Sequence, residues 1–213
     1  IKTYLMDLFK DVHNVDIEGV TVSNACYGGT AALLNTFNYM NSIYYDKNKY
    51  AIVICGDIAI YSKGPARPTG GCGAIGMLIG PGGSIVLEHV RASCMKNVFD
   101  FYKPNPISEY PIVDGKLSLD CYLEALWECI WGYINKGGVL FSDNNINNDN
   151  IYYAFHCPYS KLVEKAFSEL KYKKMYKTRH FFIKNALYFV FLYQMLILDI
   201  FIEFYPFLCY NNF

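Results

Sequence analysis

The feature that most constrains this chain is a glycine-rich turn caught between two periodicities, Ser23-Asn24-Ala25-Cys26-Tyr27-Gly28-Gly29-Thr30. Before it, Ile17 to Val22 is rich in β-branched residues and reads as a strand. After it, Ala31, Leu34, Phe37 and Met40 recur at every third position with Leu33 beside them, which is a helical stripe. A strand turning directly into a helix places Cys26 beside the unpaired N–H groups of the first helical turn. That setting stabilises a thiolate and is expected to lower the pKa. Gly28 and Gly29 leave room for a substrate backbone or thioester to come close. The turn therefore reads as a nucleophile site, with a buried structural cysteine as the alternative.

The following segments repeat this grammar. Tyr50 to Ile54 is a continuous apolar run and reads as a strand, followed by Cys55-Gly56-Asp57-Ile58-Ala59-Ile60-Tyr61. A turn-rich stretch, Gly64-Pro65-Ala66-Arg67-Pro68-Thr69-Gly70-Gly71-Cys72-Gly73, separates it from a second strand, Ala74 to Ile79. Gly80-Pro81-Gly82-Gly83 predicts a hairpin turn into a third strand, Ser84 to His89. Further on stand Asp100-Phe101-Tyr102-Lys103-Pro104, Ser108 to Ser118, and Phe155-His156-Cys157-Pro158-Tyr159-Ser160-Lys161. His156 ends the apolar run Ile151 to Phe155, and Pro158 suits the first position of a helix. A histidine at a strand-to-helix junction suits acid–base work, and a hydrogen-bonded core histidine is the plainer alternative. His13, His89 and His180 have no such setting.

In this order and spacing the segments closely resemble the 3-hydroxy-3-methylglutaryl-CoA synthases, over about residues 10–170. The strings Asn24 to Thr30, Ala66 to Gly71 and Tyr110 to Ser118 carry the likeness. It implies an incomplete thiolase-like αβαβα fold of the α/β class. It further implies a partial N-terminal domain over 1–135, the start of a C-terminal domain over 136–172, and an aromatic tail of other origin over 173–213. The implied reaction is a Claisen-type condensation of acetyl-CoA with acetoacetyl-CoA through an acetyl-S-cysteine, with no cofactor and no metal, in a homodimer.

The resemblance assigns Cys26 as nucleophile and His156 as the group that holds acetoacetyl-CoA and polarises its ketone. It places Asp57 and Asp100 as active-site support, Thr69 and Ser118 as substrate contacts, and Lys161 and Lys165 on the CoA phosphates and pantetheine. The two lysines sit four apart and so share a helix face, as solvated helix lysines also would. Asp57, just after Gly56, reads equally well as a turn aspartate. Two departures stand out. The family's general-base glutamate falls before Ile1 in this register, and Glu18 is too near Cys26 along the same strand to replace it, so these residues alone are expected not to complete the condensation. Pro65 stands where the family carries an asparagine that contacts CoA, and proline offers neither an amide side chain nor an N–H.

The bulk properties exclude other classes. The 213 residues carry 19 basic and 19 acidic side chains, so no net charge points to nucleic acid. Basic residues gather around Lys161 to Arg179, which reads as a solvated helix face. Eight cysteines with no Cys-x-x-Cys pair fit a reducing compartment. The cytoplasm is expected, with the mitochondrion as the alternative. Ile1 to Phe9 opens in the middle of a helical pattern, so the sequence reads as part of a longer chain. Leu187 to Leu198 is apolar but shorter than the roughly 20 residues of a membrane span. A docking helix or a mis-joined segment are the other readings of that stretch, and the last is preferred. Asp143 to Asn150 reads as a surface loop. Two other functions stay open: another thiolase-fold condensing enzyme, and a non-catalytic remnant or partner-binding module that kept the core.

Overall fold

The apolar run at Tyr50 continues well beyond its hydrophobic residues. In the computed structural model, which describes residues 2–138, 153–175 and 196–197, strand β1 spans Ala51–Ala59. It pairs antiparallel with β2 (Gly71–Ile79) in one unbroken register from Ala51 opposite Ile79 to Ala59 opposite Gly71. Cys55-Gly56-Asp57 thus lies inside a strand, where a turn was the rival reading of Asp57. Side chains alternate across the ladder. Val53 is buried on one face, and Ile52, Ile54, Ile58 and Leu78 are exposed on the other. Helix α2 (Gly28–Met40) packs against β1.

The described residues fall into two compact units, one drawing on residues 2–81 and 101–113, the other on 82–100, 114–138, 153–175 and 196–197. The first unit opens with α1 (Lys2–Leu5) and a 3-10 helix, Met6–Val12, which tightens the helix expected from the apolar spacing. Two expected strands are absent. Ile17 to Val22 enters no strand, because β-branched residues favour an extended backbone but a strand also needs a hydrogen-bonded neighbour, and none is present among the described residues. Residues 84–89 likewise enter no ladder, although the turn before them forms, with Gly82 at φ 74°. A two-residue ladder, β3 (Phe101–Tyr102) with β4 (Ile112–Val113), completes the first unit.

The second unit is built on α3 (Gly115–Asn135) and α4 (Ser160–Met175). Asp114 caps α3, its carboxylate accepting from the Leu117 N–H at 3.0 Å. Leu126, Ile130 and Tyr133 recur at helical spacing on α3, as do Val163, Ala166 and Leu170 on α4. With Phe155 they form the core of this unit. The Trp127 indole N–H donates to the Glu169 carboxylate at 3.2 Å, tying the two helices together. Strand β5 (Tyr153–Ala154) pairs antiparallel with β6 (Leu196–Ile197). The expected Asn-rich loop lies outside the described residues, as does the tail apart from the last turn of α4 and β6. The apolar stretch weighed as a membrane span lies outside them too, except at β6. Among the described residues no helix is long and apolar enough to cross a membrane.

Candidate active site

In the first unit, Asp57 and Tyr61 interact with the Cys26 thiol, and Thr69 is joined to Tyr61. Cys26 sits in the turn that leads into α2, two residues before the helix begins. It is half-buried, and burial raises its pKa above the ordinary thiol range. The Asp57 carboxylate on β1 raises it further, and the Cys26 backbone N–H lowers it only in part. The expectation of a depressed pKa is therefore corrected. Desolvation and a nearby like charge outweigh the helix terminus at this turn. Gly28 is buried, and a Cβ there would stand 3.6 Å from the Val22 carbonyl oxygen and 3.8 Å from Asn24 Cβ. Both are ordinary van der Waals distances, so the chain's own turn does not by itself demand glycine there.

Tyr61 joins this group, and the sequence reading passed over it. Burial raises its pKa first, then the Cys26 sulfur. A hydrogen bond with the Thr69 side chain lowers it, and Asp57 raises it again. Tyr61 thus neighbours Cys26, Thr69 and Asp57. The Thr69 hydroxyl donates to the Ala66 carbonyl at 2.6 Å, which fixes it on the 3-10 turn Arg67–Thr69. That turn begins with Arg67 N–H donating to the Gly64 carbonyl at 3.1 Å, leaving Pro65 at the second turn position, where a fixed φ fits. Gly70 closes the loop. A Cβ there would stand 2.8 Å from the Ala59 carbonyl oxygen, so only glycine lets the turn meet β1.

Thr30 is a second residue not singled out from the sequence. It is 1% exposed, and its Oγ1 has no hydrogen-bond partner among the described residues. A buried hydroxyl in that state is uncommon, and here it sits in the first turn of the helix that follows Cys26.

In the second unit, His156 follows β5 and the bridge residue Phe155, at the expected strand-to-helix junction. The helix starts later than expected. Pro158 lies in a bend, and α4 begins at Ser160. Burial lowers the His156 pKa to about 4, so its imidazole is neutral at physiological pH. The Tyr122 hydroxyl donates to the His156 backbone carbonyl at 2.7 Å, and the two rings lie 6.4 Å apart. A neutral imidazole held this way can donate an N–H to a carbonyl oxygen without carrying charge into an apolar site.

The remaining expected residues of this unit spread over three places. Asp100 accepts the Asp114 N–H through its backbone carbonyl at 2.8 Å. Its carboxylate faces Cys121 of α3 and helps raise that thiol's pKa, after burial. Ser118 is half-buried one turn into α3. Lys161 and Lys165 are both exposed on α4 and share a helix face. Among the described residues no cluster of three or more acidic, histidine or cysteine side chains could hold a metal.

Comparison with known proteins decides the kinship. The sequence model for the N-terminal part of hydroxymethylglutaryl-coenzyme A synthase matches residues 1–84, and that for the C-terminal part matches residues 85–190. The chain belongs to the hydroxymethylglutaryl-CoA synthase family. The mitochondrial hydroxymethylglutaryl-CoA synthase of Rattus norvegicus is 51% identical over 178 residues, covering 81% of this chain and 35% of that protein. The cytoplasmic hydroxymethylglutaryl-CoA synthase of Homo sapiens is 47% identical over 176 residues, covering 80% of this chain and 34% of that protein. The chain thus spans about a third of the length of these relatives. Among solved structures, MvaS in complex with 3-hydroxy-3-methylglutaryl coenzyme A superposes with a TM-score of 0.63 at 30% identity, covering 74% of this chain and 39% of that one. The thiolase-like fold class read from the sequence holds for this synthase family member.

Proposed function

We propose that this chain carries the acyl-accepting cysteine and the ketone-binding histidine of a hydroxymethylglutaryl-CoA synthase. The Cys26 thiolate attacks the carbonyl carbon of acetyl-CoA, and the CoA thiolate leaves. The family's general-base glutamate, which in this register falls outside the 213 residues, removes a proton from the methyl group of the acetyl-S-Cys26 thioester. The resulting carbanion adds to the ketone of acetoacetyl-CoA, whose oxygen takes a hydrogen bond from neutral His156. Water then cleaves the enzyme thioester and frees 3-hydroxy-3-methylglutaryl-CoA. No cofactor takes part.

The observation that carries this reading is the half-buried Cys26 thiol in the field of Asp57 and beside Tyr61, which hydrogen-bonds the Thr69 side chain, in the first unit. Tyr61 and Thr69 are proposed to offer their hydroxyl groups to the acyl oxygen. Ser118 is proposed to contact substrate, and Asp100 to support the active site. Lys161 and Lys165 supply exposed positive charge suited to the CoA phosphates. The relatives include mitochondrial and cytoplasmic enzymes. The cytoplasm and a homodimer are proposed for the whole protein.

A second reading has one observation behind it. The raised Cys26 pKa is the opposite of an activated nucleophile, as a non-catalytic remnant would show. Substitution in the full-length protein separates the two. His156→Ala is expected to leave acetyl transfer to Cys26 near the parent rate while condensation falls on the order of 10²-fold or more. Equal loss of both half-reactions contradicts the division of labour. No acetyl transfer in the parent protein supports the remnant.

A further inference from the structure

We propose that Cys94 and Cys129 form a redox-dependent disulfide site, closed by a low-molecular-weight disulfide of the glutathione type. The second unit places the extended segment around residues 88–96 along one flank of α3, running antiparallel to it. Tyr133 Oη donates to the Glu88 carboxylate at 2.6 Å, and Lys136 Nζ donates to the Arg91 carbonyl at 3.0 Å. At the other end Lys96 pairs with Glu124 at 2.6 Å. Between these anchors the two backbones come close. A Cβ added to Gly132 would stand 3.1 Å from Ala92 Cβ. The next inward-facing pair, two residues on along the segment and three back along the helix, is Cys94 with Cys129. The Cys129 sulfur accepts a hydrogen bond from the Cys94 backbone N–H, so the thiol sits against the residue it would bond to. Both are free thiols.

Exposure sets the order of events. Cys94 is half-buried and open to a small reagent, whereas Cys129 is 8% exposed and shielded from a tripeptide. The Cys94 thiolate attacks one sulfur of oxidised glutathione, forming a mixed disulfide and expelling one glutathione thiolate. The Cys129 thiolate then attacks the Cys94 sulfur, forming the Cys94–Cys129 bond and expelling the second glutathione thiolate. Two protein thiols are oxidised, one disulfide is reduced to two thiols, and the two thiol protons end on glutathione. Cys121 faces Asp100, and Cys26 faces Asp57. Closure fastens the segment that leads to Asp100 onto α3.

The test is oxidation of the folded protein by oxidised glutathione, followed by alkylation of remaining thiols, digestion and peptide mass mapping. The expected product is a single linked peptide pair joining Cys94 to Cys129, reversed by dithiothreitol. Cys129→Ser and, as a second choice of side chain, Cys129→Ala should stop at a glutathione adduct on Cys94. Cys94→Ser should leave Cys129 unmodified. The proposal is overturned if parent Cys94 stays as a glutathione adduct with Cys129 open to alkylation, or if Cys94 links to another cysteine. It is also overturned if linkage forms equally fast in denaturing urea, because the fold would then not direct it.

Discussion

The Tyr122 hydroxyl donates a 2.7 Å hydrogen bond to the backbone carbonyl of His156, joining α3 to the junction that precedes α4. This bond fixes the backbone of His156. Tyr122→Phe keeps the ring and removes the donor, so it should cost about 1 kcal/mol in unfolding free energy. In a condensation assay it should lower turnover while leaving acetyl transfer to Cys26 unchanged. Chemical denaturation checks the first figure and half-reaction kinetics the second.

The buried His156 also dictates a pH dependence. Its folded pKa of about 4 lies below the ordinary 6.5, so between those values the unfolded chain binds a proton that the folded chain does not. Stability is fully retained above about pH 6.5 and falls as the pH drops toward 4. The loss should reach on the order of 3 kcal/mol. Urea midpoints measured from pH 7.5 to 4 test this. His156→Gln should remove that part of the slope.

Gly70 gives a steric prediction. It has an ordinary extended backbone, φ −68° and ψ 158°, which alanine adopts freely. Freedom of the unfolded chain alone would make Gly70→Ala stabilising by about 0.4–1 kcal/mol. The added Cβ, however, would stand 2.8 Å from the Ala59 carbonyl and 3.3 Å from that of Arg67, both backbone atoms. The substitution should therefore destabilise, by about 1–3 kcal/mol. Thermal unfolding gives the sign.

Asp57 raises the Cys26 pKa through its negative charge. Asp57→Asn should increase the thiolate fraction, so alkylation of Cys26 by iodoacetamide at neutral pH should speed up severalfold. An unchanged rate would remove Asp57 from the electrostatics of the thiol.

Much of this was legible in the sequence, for physical reasons that differ by element. α2 follows from its apolar stripe, and α4 from the setting after Pro158 and the spacing of Lys161 and Lys165; α3 and its capping Asp114 were not singled out. β1 and β2 were legible as apolar runs, but their extension through Cys55 to Ala59 and Gly71 to Gly73 was not. Pairing across the ladder holds those residues extended, and local composition says nothing of it. The strands expected at Ile17 to Val22 and Ser84 to His89 failed for the converse reason, having no paired neighbour among the described residues. At the proposed site, Cys26 and His156 were singled out because they stand at junctions between elements and match the family's strings. Tyr61 and Thr30 were missed, since a tyrosine at a strand end and a threonine in a helix carry no sequence signal. Their importance arises from neighbours distant in sequence and from burial. The direction of the Cys26 shift was misjudged because the helix terminus can be read from the sequence, whereas desolvation and the approach of Asp57 cannot.

The account stands on Cys26 as the acceptor of an acetyl group, and one measurement addresses it directly. The protein is incubated with isotopically labelled acetyl-CoA, quenched in acid to preserve thioesters, digested and mapped by mass spectrometry. The account predicts label on the peptide containing Cys26, released by hydroxylamine and absent in Cys26→Ser. Label on another residue, or label that persists at the parent level in Cys26→Ser, would contradict it.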